Sequence, residues 1–221
     1  SSDISAQYAS ASGIRAEYAA AGLSGRILNQ IPECSQKLLE TLHSLNLLGW
    51  NTEKLDTLVL YKLCMLTKQQ IAAACECTEG LEHRLKAAAV CPDMQSVVSS
   101  VSSKRYTKSR IRRLLMQLLL GNDKTIFTEA KPQYLRVLAF NNRGRSLLAQ
   151  MRKTASLPVI TKIGRNFKNC LTGDTEKDEL IVRQLQMDIN AANLLALLQN
   201  RSQTYCQTYN SDFLTQPFQQ A

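Results

Sequence analysis

The chain has 221 residues, 44% of them apolar, and its 27 Lys+Arg against 18 Asp+Glu leave a formal net charge of +9. That is enough apolar material for one large domain or two small ones, while no run approaches the roughly 18 uncharged apolar residues that read as a membrane span. The opening "SSDISAQYAS" lacks the basic start and apolar stretch of a secretory signal, so the expectation is a cytoplasmic protein without membrane contact.

The first motif in chain order is "ASASGIR", residues 9–15, which runs into a helical "AEYAAAGL". Ser10 and Ser12 stand at the mouth of that helix, where free N–H groups and the macrodipole favour an anion, and Arg15 adds a fixed positive charge one turn further in. This is phosphate-binding chemistry. On spacing alone a serine at a helix start is ordinarily just a cap.

From about 35 to 120 the sequence reads as a helical array with short connections. "CSQKLLETLHSLNLL", "TEKLDTLVLYKLCML", "TKQQIAAACEC", "EGLEHRLKAAAVC" and "MQSVVSSVSS" carry apolar residues at 3- and 4-residue steps, divided by Gly49, Thr67, Gly80 and Pro92. Thr52, Thr67 with Gln70 three residues on, and Thr78 before Glu79 are the expected N-caps.

"SSKRYTKSRIRR", residues 102–113, places six cations in twelve positions without an acid. Thr107 is expected to cap a helix whose Ile111, Leu114, Leu115, Leu118 and Leu119 form one apolar stripe, ended by Gly121. At 100° per residue Arg110 and Arg113 point away from that stripe and Arg112 flanks it. Lys104, Arg105 and Lys108 extend the row, and Tyr106 either stacks on an exposed base or packs at the helix entrance.

The pattern then changes. "YLRVLAF" (134–140) has strand composition, "NNRG" turns, "RSLLAQMRK" returns to helical spacing and "LPVITKIG" (157–164) reads as a second strand, which together predict a small parallel βαβ unit. After the charged "TGDTEKDE", "LIVRQLQMDINAANLLALLQN" is a long amphipathic helix, and the tail from Arg201 has no clear period. The fold class expected is mainly α with a small βαβ element, that is, α+β.

Residues 101–170 hold 16 Lys+Arg against Asp123 and Glu129, a net of +14, whereas the other 11 Lys+Arg and 16 Asp+Glu sum to −5. Charge this one-sided calls for a polyanion partner, nucleic acid before membrane. The seven cysteines form no C-x-x-C pair and sit mostly in apolar helical patterns, as reduced core residues do. With His43 and His83 the only histidines, no metal held by protein residues alone is expected. No G-x-S-x-G elbow, P-loop or H-E-x-x-H is present, and His83 reads as a helix-surface residue.

Taken together, "SASGIR", "EGLEHRLKAA", "SSKRYTKSRIRRLLMQLLLG", "YLRVLAFNNRGRSLL", "LPVITK" and "MDINAANLLALL…SDF" resemble, in that order, the C-terminal half of the bacterial tRNA(Met) cytidine acetate ligase family. The specific parts are "KRYTKSRIRR" and "RVLAFNNRGR". The resemblance implies an enzyme that activates acetate with ATP as acetyl-adenylate and acetylates N4 of the wobble cytidine of elongator tRNA(Met). ATP and acetate are then co-substrates, with Mg2+ carried by the phosphates, and tRNA is the partner. It also implies that residues 1–31 are the end of a Rossmann-like nucleotidyltransferase domain and that residues 32–221 form a mostly helical tRNA-binding domain. Ser10, Ser12 and Arg15 fall on the motif that contacts ATP phosphates, Ser12 standing where Thr is often found. Lys104, Arg105, Tyr106, Lys108, Arg110, Arg113, Arg143 and Arg145 are the implied tRNA contacts, some of which would instead brace the catalytic domain. The family's H-x-G-H motif is absent, so the chain by itself is expected to be inactive and to be a C-terminal fragment. Two other readings stay open: a nucleotidyltransferase acting on a small molecule, and a non-catalytic RNA-binding module.

Overall fold

Helix starts leave backbone N–H groups without partners, and here short polar side chains close them. In the computed structural model, which describes residues 10–45, 47–49, 51–78, 80–125, 131–164, 171–199, 211–213 and 215–219, α1 (Ala11–Ala21) begins at Ser10, whose Oγ accepts from the Gly13 amide at 3.1 Å. Ser24 does the same for the short α2 (Gly25–Leu28), accepting from Ile27 at 3.4 Å. Proline precedes α3 (Glu33–Ser44), and Gln36 donates to the Leu28 and Ile31 carbonyls at 2.8 and 3.2 Å, fastening α3 to the end of α2. These three helices belong to one compact unit, which ends at Asn51 and also takes in Gln199.

The second unit holds Thr52–Leu198 and the described residues from 211 onward. It contains α4 (Thr52–Met65), α5 (Lys68–Ala73), α6 (Leu81–Ala87), α7 (Met94–Val101) and α8 (Lys108–Leu120). Their apolar stripes meet in one core that includes Val59, Leu63, Ile71, Leu85, Val98, Ile111 and Leu114. Each such side chain contributes about 1.5–3 kcal/mol by leaving water, and Leu114→Ala would remove about 2–5 kcal/mol. Thr67 and Gln70 form the full reciprocal capping box on α5. Thr107 caps α8 through the Arg110 amide at 3.4 Å, and Gly121 ends it at φ +77°, a conformation that favours glycine.

Two expected caps are corrected. Thr52 is the first residue of α4 rather than its cap. Thr78 lies outside α6, which starts after Gly80 at φ +81°; its hydroxyl instead accepts from Arg110 at 2.9 Å. Glu79 and the tail from Arg201 to 210 lie outside the described residues.

The expected βαβ unit is present in reduced form. β1 (Leu135–Arg136) pairs in parallel with β3 (Val159–Ile160), and α9 (Asn142–Thr154) is the crossover that a parallel pair needs. The strand expected over 134–140 is divided, however. After Val137 donates to the Ile160 carbonyl at 2.9 Å, the chain changes partner, and β2 (Ala139–Phe140) pairs with β4 (Phe218–Gln219). Each pairing is only two residues long.

The long α10 (Thr175–Leu198) buries Ile181, Leu185, Ile189 and Asn193, a step of four throughout. Leu185 and Ile189 close a second apolar cluster with Ile160 and Ile163. Arg136 anchors the strands here, reaching Asp188 at 3.5 Å and Asp212 at 3.0 Å. Tyr134 donates to the same Asp188 at 2.8 Å, and burial, then that carboxylate, raises its phenol pKa well above the ordinary value. The fold is mainly helical with few strands, as expected.

Candidate functional site

In the first unit, the serine motif occupies the first turn of α1. Ser10 is used as the cap, while Ser12 and Arg15 are both exposed, the guanidinium lying 3.5 Å from the Ser12 hydroxyl. No acidic residue stands in that turn. A hydroxyl, a guanidinium and the open amides of a helix start therefore face the same solvent-accessible region, an arrangement that suits the oxygens of a phosphate group. Among the described residues no cluster of His, Cys, Asp and Glu could hold a metal ion.

In the second unit, the basic row of residues 104–113 is not uniformly displayed. Tyr106 is 4% exposed, and its hydroxyl donates to the Thr78 carbonyl at 3.4 Å. Three guanidinium groups surround its ring, those of Arg84, Arg105 and Arg110 at 6.0, 5.7 and 5.5 Å from the centroid. The base-stacking role is therefore corrected to the other one, packing at the helix entrance: a ring covered on its faces and closed at its hydroxyl has no surface left for a nucleobase.

Arg110 and Arg113 are both bonded within the domain, Arg110 half-buried and Arg113 still exposed. Both leave the apolar stripe as the 100° spacing requires, but they turn onto the loop that joins α5 to α6. Arg110 donates to the Glu76 carbonyl at 2.8 Å and to Thr78 Oγ1 at 2.9 Å. Arg113 grips the Glu76 carboxylate with two bonds of 3.1 Å each. Glu76 sits at φ +65°, the only described non-glycine residue in the left-handed region, where an L-residue is strained. Two arginines on one helix thus hold both ends of a strained residue. Arg112 donates to Gln95 Oε1 at 2.7 Å. Lys104 and Lys108 are exposed.

The other implied RNA contacts lie on α9. Arg143 is exposed, as is Arg145, which donates to the side chain of Gln219 at 2.9 Å. Gly144 between them packs closely, since a Cβ there would stand 3.0 Å from Phe140 Cβ. Sequence reasoning missed Glu76 and Arg84, whose roles depend on contacts across more than twenty residues. It also passed over Arg152, Lys153 and Lys162, which the one-sided charge count already contained.

His83 is exposed, 3.5 Å from Glu82. Cys77 is buried, and burial, then the Glu82 carboxylate 3.9 Å from its sulfur, pushes the thiol pKa up. Neither has the surroundings of an activated catalytic group.

A family model described as HIGH Nucleotidyl Transferase matches residues 1–210. The tRNA(Met) cytidine acetate ligase of Thermoanaerobacter sp. (strain X514) is 34% identical over 74% of this chain and 40% of its own length. That of Alkaliphilus metalliredigens is 30% identical over 89% of this chain and 46% of its own. The apo crystal structure of Thermotoga maritima TmcAL superposes with a TM-score of 0.86 at 24% identity, covering 96% of this chain and 51% of that one. The same protein bound with alpha-thio ATP gives 0.87. The chain spans about half or less of the length of the relatives it matches, shares the fold of the corresponding part of the Thermotoga protein, and belongs to the HIGH Nucleotidyl Transferase family.

Proposed function

We propose that this chain is the C-terminal part of an ATP-dependent tRNA(Met) cytidine acetate ligase, an RNA-modifying enzyme of the cytoplasm that uses ATP to activate acetate and acetylates the wobble cytidine. The observation that carries this reading is the similarity, over 74% to 89% of the chain, to relatives of that name. The +14 block of residues 101–170 supports it, because a small-substrate enzyme has no reason to maintain such a surface.

In this reading residues 1–31 close the nucleotide-binding domain. Ser12 and Arg15 receive ATP phosphate oxygens at the start of α1, where Ser10 caps the helix through the Gly13 amide; ATP supplies the activating and leaving group for acetate. Mg2+ would be carried by the ATP phosphates. The rest of the chain grips tRNA. Lys104, Arg105, Lys108, Arg143 and Arg145 keep the contact role, whereas Tyr106, Arg110 and Arg113 support the surface that displays them.

Nucleosides of tRNA from a strain lacking the gene that encodes this chain should be missing N4-acetylcytidine, and the restored gene should bring it back. The chain alone, given ATP, labelled acetate and unmodified tRNA, should form no product. An unchanged N4-acetylcytidine level in the deleted strain would overturn the reading, and turnover by the chain alone would overturn the placement of the missing catalytic residues.

A further inference from the structure

A helix of thirteen residues normally secures itself by burying one face, because its own hydrogen bonds leave it marginal in water. α9 buries none. Leu147 on it is 56% exposed, and its sequence "NRGRSLLAQMRKT" carries Arg143, Arg145, Arg152 and Lys153 with no acid. Residues 145, 148, 149 and 152 share one face, by the 3- and 4-residue rule. That face forms one wall of a cleft of about 370 Å³, with Lys162, Thr161 and Gln216 opposite.

A second cleft of about 580 Å³ continues from it, bounded by Met151, Leu157, Pro158 and Leu171. The two share Arg152, Thr161 and Lys162. Among the described residues neither is lined by an acid. Of the four acids just beyond Thr172, Asp174 pairs with Lys177 at 3.0 Å and Asp178 accepts from the Thr172 and Gly173 amides at 2.7 and 3.0 Å, while Glu176 and Glu179 are exposed on α10 and line neither cleft.

We propose that the two clefts form one track for a single-stranded segment of RNA, in which Arg145, Arg152 and Lys162 hold phosphates and the apolar wall of Leu157 and Pro158 takes the face of a base. Arg145 and Arg152 are seven residues apart, about 10.5 Å along the helix axis, so they reach different phosphates. The larger cleft falls within the range of roughly 300–1,000 Å³ that encloses a small organic group, which suits one unstacked nucleotide. A base-paired helix, by contrast, offers its backbone and shallow groove to an open surface. The track deepens the tRNA reading and rests on it.

The test uses this chain with a tRNA transcript, a ten-nucleotide single strand and a blunt RNA duplex, each titrated at several salt concentrations. Arg152→Ala with Lys162→Ala should weaken binding of the transcript and the single strand about tenfold or more. It should also make their log–log salt slope shallower by about 1.4, at about 0.7 per single-strand phosphate contact. Arg152→Lys with Lys162→Arg, which keeps both charges, should restore most of the slope, and Lys68→Ala on α5 should leave it unchanged. Hydrogen exchange at α9 amides should slow when the single strand is added. A double variant with wild-type affinity and slope overturns the track and leaves the tRNA reading standing, as does equal loss for the duplex. A wild-type chain that binds no tRNA overturns the reading beneath it.

Discussion

Removing the Arg110 side chain should destabilise the helical unit, and the size of the loss follows from its contacts. The guanidinium donates to the Glu76 carbonyl at 2.8 Å and the Thr78 hydroxyl at 2.9 Å, and it lies 5.5 Å from the Tyr106 ring centroid. A hydrogen bond from a charged donor contributes about 1.5–3 kcal/mol, and a cation–π contact adds about 0.5–1 kcal/mol where water still reaches it. Because Arg110 is only half-buried, water recovers part of this, which leaves about 2–3 kcal/mol for Arg110→Ala. In a domain of this size 1 kcal/mol corresponds to about 2–4 °C, so thermal unfolding followed by circular dichroism should move down by about 5–10 °C. Arg113→Ala should cost less, about 1 kcal/mol, since its side chain is 57% exposed and that of Glu76 33%. Glu76→Gly supplies the internal control: it loses the ion pair but relieves a left-handed residue worth about 1–2 kcal/mol, so it should be nearly neutral while Glu76→Ala is destabilised. An Arg110→Ala protein that melts within 1 °C of the wild type would refute the clasp and return Arg110 to the RNA surface.

Lys86→Met should lower stability by about 2 kcal/mol in the same melt, because the ammonium group donates to the Leu63, Cys64 and Leu66 carbonyls at the end of α4. Asp178→Asn should flatten the acid limb of stability. The folded pKa of Asp178 is held low, chiefly by the Thr172 amide, so its contribution is complete above the unfolded value of about 3.9 and is lost as pH falls through the lower folded value. Cys34 and Cys64 are exposed and Cys77 is buried with a raised thiol pKa; a maleimide at pH 8 should label the first two in the folded chain and Cys77 only after unfolding. In the full-length enzyme, Arg15→Ala should depress ATP–pyrophosphate exchange far more than tRNA binding, and equal damage to both would refute the phosphate role.

Local rules accounted for much of this fold. Thr67 with Gln70, Thr107 and Gly121 act where short-range chemistry places them, because a cap needs only its own first or last turn. The βαβ unit was legible from composition, but the division of 134–140 was not: it depends on β4, some eighty residues later. The same limit applied to the site. Helical spacing correctly turned Arg110 and Arg113 out of the apolar stripe, yet "outward" described a direction and not a destination. The destination was Glu76, 34 and 37 residues earlier in the chain, and no periodicity within "KRYTKSRIRR" contains it.

The division of charge explains why α8 drew attention that α9 warrants more. A run of cations reads as a surface for polyanions only if its counter-charges are absent, and acids from outside residues 101–170 fold back onto it. Glu76 meets Arg113, while Asp188 and Asp212 meet Arg136. Neutral acceptors take others, Thr78 for Arg110 and Gln95 for Arg112. Each contact moves an arginine from the field seen by a ligand to the framework of the domain, where it fixes a turn or a strand. Along α9 no carboxylate comes into contact with Arg143, Arg145, Arg152 or Lys153 among the described residues. α9 has no fully buried residue and its charge stays uncompensated among the described residues; in the proposed track an RNA backbone would neutralise the cations and cover the face. The α8 arginines build the support, and α9 presents the charge.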